Sequence, residues 1–304
     1  MTASPARAGT APDLDVRLAR VDGVVFDVDG CLVLSDEPAG EGGRALPGAA
    51  EAVRAVRASG RSVVAFTNAS SQVPAAIAAS LSAMGVELSA AEVLTPSVVA
   101  AQVARERYGD APVLAFGGPG LVDVLRDGGV RLADHTRPTE AVAVVVGWDT
   151  GFDRDRLQTA AEAVWNGAAL LVTSDARRFA SATRPVAGVG GFIARGLSYV
   201  TETEYEILGK PSRAAMAVAS RRLGTAPERV LVAGDDLTLE AAMAHGAGAV
   251  SVLVTTGLHG SADVGVVAGG VVPDLVVPGL PELLHRIRTA DRRHRRHRRH
   301  RARA

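Results

Sequence analysis

The sequence predicts an α/β fold, a mainly parallel sheet with helices on both faces and a second, smaller α/β domain inserted into it. Three observations carry that reading. Apolar runs such as GVVFDVDG (23–30), RSVVAFTN (61–68), RVLVAGDD (229–236) and AVSVLVTT (249–256) are continuous rather than alternating. Strands of that kind are covered on both faces, as in parallel sheets. Helical patterns alternate with these runs, and a middle stretch of about 90 residues repeats the texture with strands of its own, enough for a separate small core.

Taken in order, residues 1–17 are read as a flexible N-terminus; MTASPARAGTAPDLD lacks the apolar centre of a signal peptide. The run at 23–30 is the first strand, followed by a Gly-rich loop and a helix near 48–59. The second strand (61–68) leads into a helix near 74–84, and VLTPSVVAAQVARERYG supplies a third helix. PVLAFGG (112–118), AVAVVVG (141–147) and ALLVTS (169–174) are strands of the inserted domain, with helices near 119–127 and 154–166. Helices near 212–223 and 238–245 flank the strands at 229–236 and 249–256. The boundaries are therefore 18–111 with 206–288 for the main domain, 112–205 for the insert, and 289–304 for a basic tail. GGPG (117–120) and GVGG (188–191) are read as isolated loop turns. His135, His245, His259 and His285 have no metal-ligand spacing and are read as solvated or at helix ends.

Composition excludes several classes. The 304 residues are 47% hydrophobic and 22% charged, ordinary for a globular chain. One cysteine, Cys31, allows no internal disulfide framework and fits a cytoplasmic protein. No apolar run approaches the roughly 20 residues that span a bilayer, so no membrane partner is expected. A formal net charge of zero hides an asymmetry: the last 13 residues hold 8 Arg and no acid, and without them 25 basic residues face 33 acidic ones, about −8. The tail is read as disordered and solvated. Nucleic acid is not expected as a partner except through this arm, and His294, His297 and His300 would make it at most a weak metal binder.

The sharpest local feature is VVFDVDGCL. Asp27 and Asp29 lie two apart at the end of an apolar strand and so share a face. Ligands of open α/β sheets bind at the carboxyl ends of strands. Two carboxylates there repel each other unless a cation or a shared proton compensates. Asp235 and Asp236 end another apolar strand, which makes a Mg²⁺ site plausible in hard oxygen ligands; either of them alone could instead cap a helix, whereas Asp27 lies inside the hydrophobic pattern. Thr67 and Asn68 close the second strand, either as a helix N-cap or as an oxyanion-binding turn. Lys210 is the only lysine, every one of the other 32 basic residues being arginine. A thin-stemmed point charge fits where a planar fork does not. Together these groups suit displacement at phosphorus: a carboxylate nucleophile, a proton-transfer carboxylate, a metal, a hydroxyl and a cation.

DVDGCL, FTN, GKP and GDDLTLE, in that order, resemble the four motifs of the haloacid dehalogenase (HAD) superfamily of aspartate-nucleophile phosphatases. The insert, with VVVGWDTGFDRDRLQTAAEAVWNGA, is similar to the large α/β cap of its p-nitrophenyl phosphatase and phosphoglycolate phosphatase branch. The resemblance spans about residues 20–285 and implies a Rossmann-like core with an inserted cap domain. It also implies a Mg²⁺-dependent hydrolase of a small phosphorylated metabolite, acting through an aspartyl phosphate, and a homodimer. Asp27 matches the nucleophile, Asp29 the general acid/base, Lys210 the stabilising cation, and Thr67 and Asn68 the phosphate-binding turn. Asp27, Asp29 and Asp235 match the metal ligands. Cys31 stands where that family usually has Thr, Ala69 replaces a frequent Asn, and Glu240 replaces a usual Asp. The cap segment TSDARRFASATRPVAGVGG departs furthest, leaving Asp175 as a candidate substrate contact. Two other readings use the same residues: a phosphate-binding or signalling pseudoenzyme without turnover, and a sugar phosphomutase.

Overall fold

A computed structural model of the chain describes residues 14–40, 42–179, 183 and 186–301. Strand β1 (Gly23–Asp27) is followed by a short hairpin of β2 (Val33–Leu34) and β3 (Arg44–Ala45), then β4 (Ser62–Phe66) and β5 (Val93–Leu94). The middle of the chain supplies β6 (Val113–Phe116), β7 (Ala143–Val146) and β8 (Ala169–Val172). A second hairpin, β9 (Arg178–Phe179) and β10 (Val186–Ala187), precedes β11 (Tyr205–Ile207). The chain then returns through β12 (Val230–Gly234), β13 (Val250–Val254) and β14 (Leu275–Val277).

The main sheet has six parallel strands in the order β14-β13-β12-β1-β4-β5. Every residue of β1, β12 and β13 is buried, as continuous apolar runs require. Alternation then sorts them. Val24, Phe26, Leu231 and Ala233 face the helices Ala49–Ala58, Pro74–Ala83 and Leu280–Arg301. Val25, Val64, Phe66 and Val232 face the helices Pro96–Tyr108 and Arg213–Leu223. The chain winds from β1 toward β5 on one side and returns to β12 on the other. The crevice outside β1 and β12 is thus the topological switch point, where ligands of such sheets bind.

A second parallel sheet has the order β11-β8-β7-β6. Ala143, Val145 and Leu171 join the core on the Val25 side of the main sheet. Val144, Val146 and Leu170 pack beneath the helices Arg154–Trp165 and Val189–Thr201. Because β11 pairs with β8, this sheet runs two residues past the boundary set at 205. The GVGG turn is not an isolated loop. It opens the helix Val189–Thr201, and its glycines serve close packing: a Cβ at Gly188 would lie 1.7 Å from the carbonyl oxygen of Ala176, and one at Gly191 would lie 2.9 Å from the backbone of Asp175.

The termini also differ from the sequence reading. Of the segment read as flexible, residues 1–13 lie outside the described residues, whereas Leu14–Ala19 is a helix with Leu18 buried. The segment from 289, read as disordered, continues the helix Leu280–Arg301. Leu280, Leu283, Leu284, Ile287 and Ala290 form a buried stripe at helical spacing that anchors it, and arginine is a good helix former. Arg61 clasps Asp291 with two hydrogen bonds of 2.6 and 3.0 Å, and Arg293 pairs with Asp15. Residues 302–304 and the side chains of His297 and His300 lie outside the described residues. Among the described residues no helix is long and apolar enough to cross a membrane.

The inserted domain meets the main one closely at Gly120, in the helix Pro119–Asp127, where a Cβ would lie 2.3 Å from the amide nitrogen of Gln72 and 2.4 Å from the carbonyl carbon of Ser71. Backbone cannot move aside as a side chain can. Gly120→Ala is expected to cost about 1–3 kcal/mol, measured as a lowered midpoint in urea denaturation.

Candidate active site

Asp27 ends β1 and is 5% exposed; Lys210, which follows β11 of the second sheet, is 2% exposed. The lysine amino group has three N–H donors, and each has an acceptor. It donates to Asp27 Oδ1, to the Phe66 carbonyl at 2.8 Å and to Glu240 Oε1 at 2.5 Å. Asn68 fixes the lysine backbone from both sides. Its Oδ1 accepts from the Lys210 amide at 2.9 Å, and its Nδ2 donates to the Lys210 carbonyl at 3.0 Å. Gly209 allows that approach, since a Cβ there would lie 2.4 Å from the Thr173 carbonyl and 2.6 Å from Asn68 Oδ1.

Asp29 lies just past the strand, where Oδ1 accepts from the Gly40 amide at 2.9 Å. Its Oδ2 accepts from the Ala39 amide at 3.3 Å and the Thr67 hydroxyl at 3.1 Å. Ala39 adopts φ 62° to present its amide, a left-handed conformation costly for a residue with a Cβ. Thr67 Oγ1 in turn accepts from the Ala69 amide at 3.0 Å. Position 69 thus contributes backbone, and the missing Asn side chain leaves this contact intact. Cys31 is buried with its thiol aimed at the Ala233 carbonyl, 3.7 Å away; burial, with Asp27 and Asp235 beside it, pushes the thiol up.

On the other side of β1, Asp235 follows β12, and its Oδ2 accepts from the Leu258 amide at 2.6 Å. A Cβ at Gly257 would lie 1.9 Å from that same oxygen, so the carboxylate occupies space that only glycine leaves. Glu240 is accommodated in the same way, because a Cβ at Gly234 would lie 2.2 Å from its Cγ. The longer side chain reaches Lys210 with one oxygen and accepts from the Asp236 amide at 3.1 Å with the other. His259 is neither solvated nor at a helix end: it is buried, and its Nδ1 accepts from the Leu237 amide at 3.1 Å.

Electrostatically the site holds more carboxylate than cation. Asp27, Asp29, Asp235, Asp236 and Glu240 line one cavity of about 30 Å³, against Lys210 and Arg178. That is room for about one water-sized group. Burial pushes Asp27 up to about 6, with Lys210 opposing and Asp29 adding to the shift. Asp29 rises to about 6 through burial, against the Thr67 hydroxyl and Lys210. Glu240 rises to about 7 through burial, against Lys210. Asp235 is pushed well above the carboxylate range by burial and by the charges of Asp27 and Glu240. Among the described residues no three His, Cys, Asp or Glu side chains form a metal-binding group. Two of these carboxylates, Asp27 and Asp235, are hard oxygens of one sign at the ends of the adjacent strands β1 and β12. That chemistry fits Mg²⁺ completed by backbone oxygen and water.

Of the residues singled out in the sequence, Asp27, Asp29, Thr67, Asn68, Lys210 and Asp235 line this one cavity. Asp175 does not. It lies in the adjoining cavity, where its Oδ2 accepts from Arg195 Nη2 and from the Tyr205 hydroxyl, both at 3.0 Å. Arg178 and Phe179 on β9 line the Asp27 cavity without having been anticipated. Their segment stood out only as a departure, and nothing local distinguishes one arginine of ARR from another.

Residues 24–131 match the family model of haloacid dehalogenase-like hydrolases, and residues 207–283 match the HAD-hydrolase-like model. Human glycerol-3-phosphate phosphatase is 30% identical over 300 residues, covering 88% of this chain and 91% of the relative. The sugar-phosphatase AraL of Bacillus subtilis is 29% identical over 236 residues, covering 77% and 83%. A solved 4-nitrophenylphosphatase from Thermotoga maritima superposes with a TM-score of 0.78 at 27% identity, covering 88% of this chain and 98% of that one.

Removing the lysine charge should expose the imbalance. Lys210→Met leaves Asp27 and Glu240 buried without their shared cation, and a loss of about 3–5 kcal/mol is expected in denaturation at pH 8. The loss should shrink at pH 5, where both carboxylates, already raised, take up protons.

Proposed function

We propose that this chain, which belongs to the haloacid dehalogenase-like hydrolases, is a Mg²⁺-dependent phosphatase that hydrolyses a small phosphomonoester through an aspartyl phosphate on Asp27. The observation that carries the reading is the sharing of one cavity by Asp27, Asp29, Lys210 and Asp235. An Asp27 carboxylate oxygen attacks phosphorus, and the bond from phosphorus to the ester oxygen breaks. Asp29, whose affinity for a proton burial raises to about 6, carries the proton that goes to the departing oxygen. As a carboxylate it then takes a proton from a water that attacks the aspartyl phosphate. The Asp27–phosphorus bond breaks, inorganic phosphate leaves, and both residues return to their starting forms.

Lys210 holds Asp27 in place and offsets negative charge that gathers on the transferring phosphoryl group. The Thr67 hydroxyl steadies Asp29 and borders the phosphate position. A magnesium ion held by Asp27, Asp235 and the Asp29 carbonyl would offset the repulsion between the phosphate and the carboxylates. The second sheet, with its helices and the β9–β10 hairpin, acts as a cap that keeps water from the reacting phosphate. A small phosphorylated metabolite as substrate is consistent with the names of the relatives, and the lone buried thiol suits a cytoplasmic setting.

Turnover of 4-nitrophenyl phosphate with magnesium, and its loss with EDTA, tests the reading. Asp27→Asn is expected to lower kcat by about a thousandfold or more; activity equal to wild type would refute the nucleophile. Lys210→Arg should lose about a hundredfold, because a planar fork cannot meet three acceptors arranged around a point charge.

Metal binding has a readout apart from activity. Magnesium chloride should raise the thermal midpoint, and more at pH 8 than at pH 5, because protons compete for carboxylates held near 6 or above. Asp235→Asn should abolish the shift.

A further inference from the structure

We infer that the cavity beside Asp27 is a subsite for a second anionic group, a carboxylate or a phosphate, carried by the leaving group of the substrate. The inference rests on the phosphatase reading above. The Asp27 cavity shares Arg178, Asp236, Leu239 and Leu258 with a larger cavity of about 450 Å³. Among the described residues, another adjoining space, beside Asn68 and Phe179, measures about 10 Å³ and has no room for a leaving group. Of these two spaces only the larger has room for a group esterified to phosphorus at Asp27, and its size suits a small molecule.

The walls of that cavity are not electrically balanced. Arg177, Arg178 and Arg195 line it, against Asp175 and Asp236. Arg195 is already committed: it bonds Asp175 at 3.0 Å and lies over the Tyr205 ring at 5.9 Å. Asp236 is turned into its own loop, where Oδ1 accepts from the Thr238 amide at 2.6 Å and from its hydroxyl at 2.7 Å. Arg177 and Arg178 form no ion pair among the described residues. Two guanidinium groups thus border the leaving-group space with no carboxylate paired to them among the described residues. Exposed arginines are common surface residues. Arg178 differs in standing on a wall that the nucleophile cavity shares, and Arg177 lies next to it on the larger cavity.

Their segment is also held in place. The Phe179 ring lies 5.8 Å from that of Trp148, and the Gly188 amide donates to the Arg177 carbonyl at 2.9 Å. Gly188 itself cannot carry a Cβ against Ala176. The Thr183 amide reaches Asp36 Oδ1 of the main domain at 2.8 Å. A guanidinium on a fixed ribbon loses little freedom when it forms the paired hydrogen bonds that carboxylate and phosphate accept.

Steady-state kinetics on matched esters tests this. Ethyl phosphate, phosphoglycolate and ethane-1,2-diyl bisphosphate differ in the group at the far carbon, with 4-nitrophenyl phosphate as reference. At least one of the two anionic esters should exceed ethyl phosphate in kcat/KM by about tenfold or more; the larger excess tells which anion the subsite prefers. In Arg177→Gln that ratio should fall by about threefold or more, and in Arg177→Glu it should invert. Equal efficiency on all three esters by an enzyme that hydrolyses 4-nitrophenyl phosphate would overturn the subsite alone. So would a preference that Arg177→Gln and Arg178→Gln leave unchanged. If 4-nitrophenyl phosphate is not hydrolysed either, the phosphatase reading fails and takes the subsite with it.

Discussion

The buried ammonium group of Lys210 is the interaction on which the site depends. It joins the end of β1 through Asp27, the end of β4 through the Phe66 carbonyl, and the helix after β12 through Glu240. Its backbone is held by Asn68 from the loop after β4. A buried ion pair is a poor source of stability, since desolvating both partners costs about what their attraction returns. What it supplies is registry. Three acceptors around one point charge leave a single way to bring these segments together. That also explains why a chain otherwise written in arginine keeps one lysine.

The constraint reaches into the glycines. Gly209, Gly234 and Gly257 each stand where a Cβ would strike a neighbour, and at the last two that neighbour is the Glu240 or Asp235 side chain itself. Small residues thus make the space in which carboxylates crowd at the strand ends. Crowding without water raises their affinity for protons, and in the proposed mechanism the same oxygens would hold a divalent ion. The acid needed by the leaving group and the sites needed by a cation have one physical origin.

The main sheet was legible because strands covered on both faces leave unbroken apolar runs, and Asp27 was legible because it interrupts one. Placing Asp235 and Lys210 beside it required the four motifs together, as neither segment alone says which strand end it joins. The helix Val189–Thr201 was hidden by its glycines, which look like a turn but serve contact with Asp175 and Ala176. The C-terminal helix was hidden by composition: a charge-rich segment gives no periodic signal beyond the stripe ending at Ala290. Arg177 and Arg178 were out of reach for another reason. Their place beside the site depends on the two-residue strand pairing at Arg178–Phe179, and pairing of that length leaves almost no trace in sequence.

The most direct measurement is chemical identification of the phosphorylated residue. Rapid-quench trapping during turnover of a phosphate ester, followed by borohydride reduction and peptide mass spectrometry, would locate an acyl phosphate. The expected result is reduction of Asp27 to homoserine, dependent on substrate and absent from unreacted protein. Modification at another carboxylate, or steady turnover with no acyl phosphate at any time point, would contradict attack by Asp27.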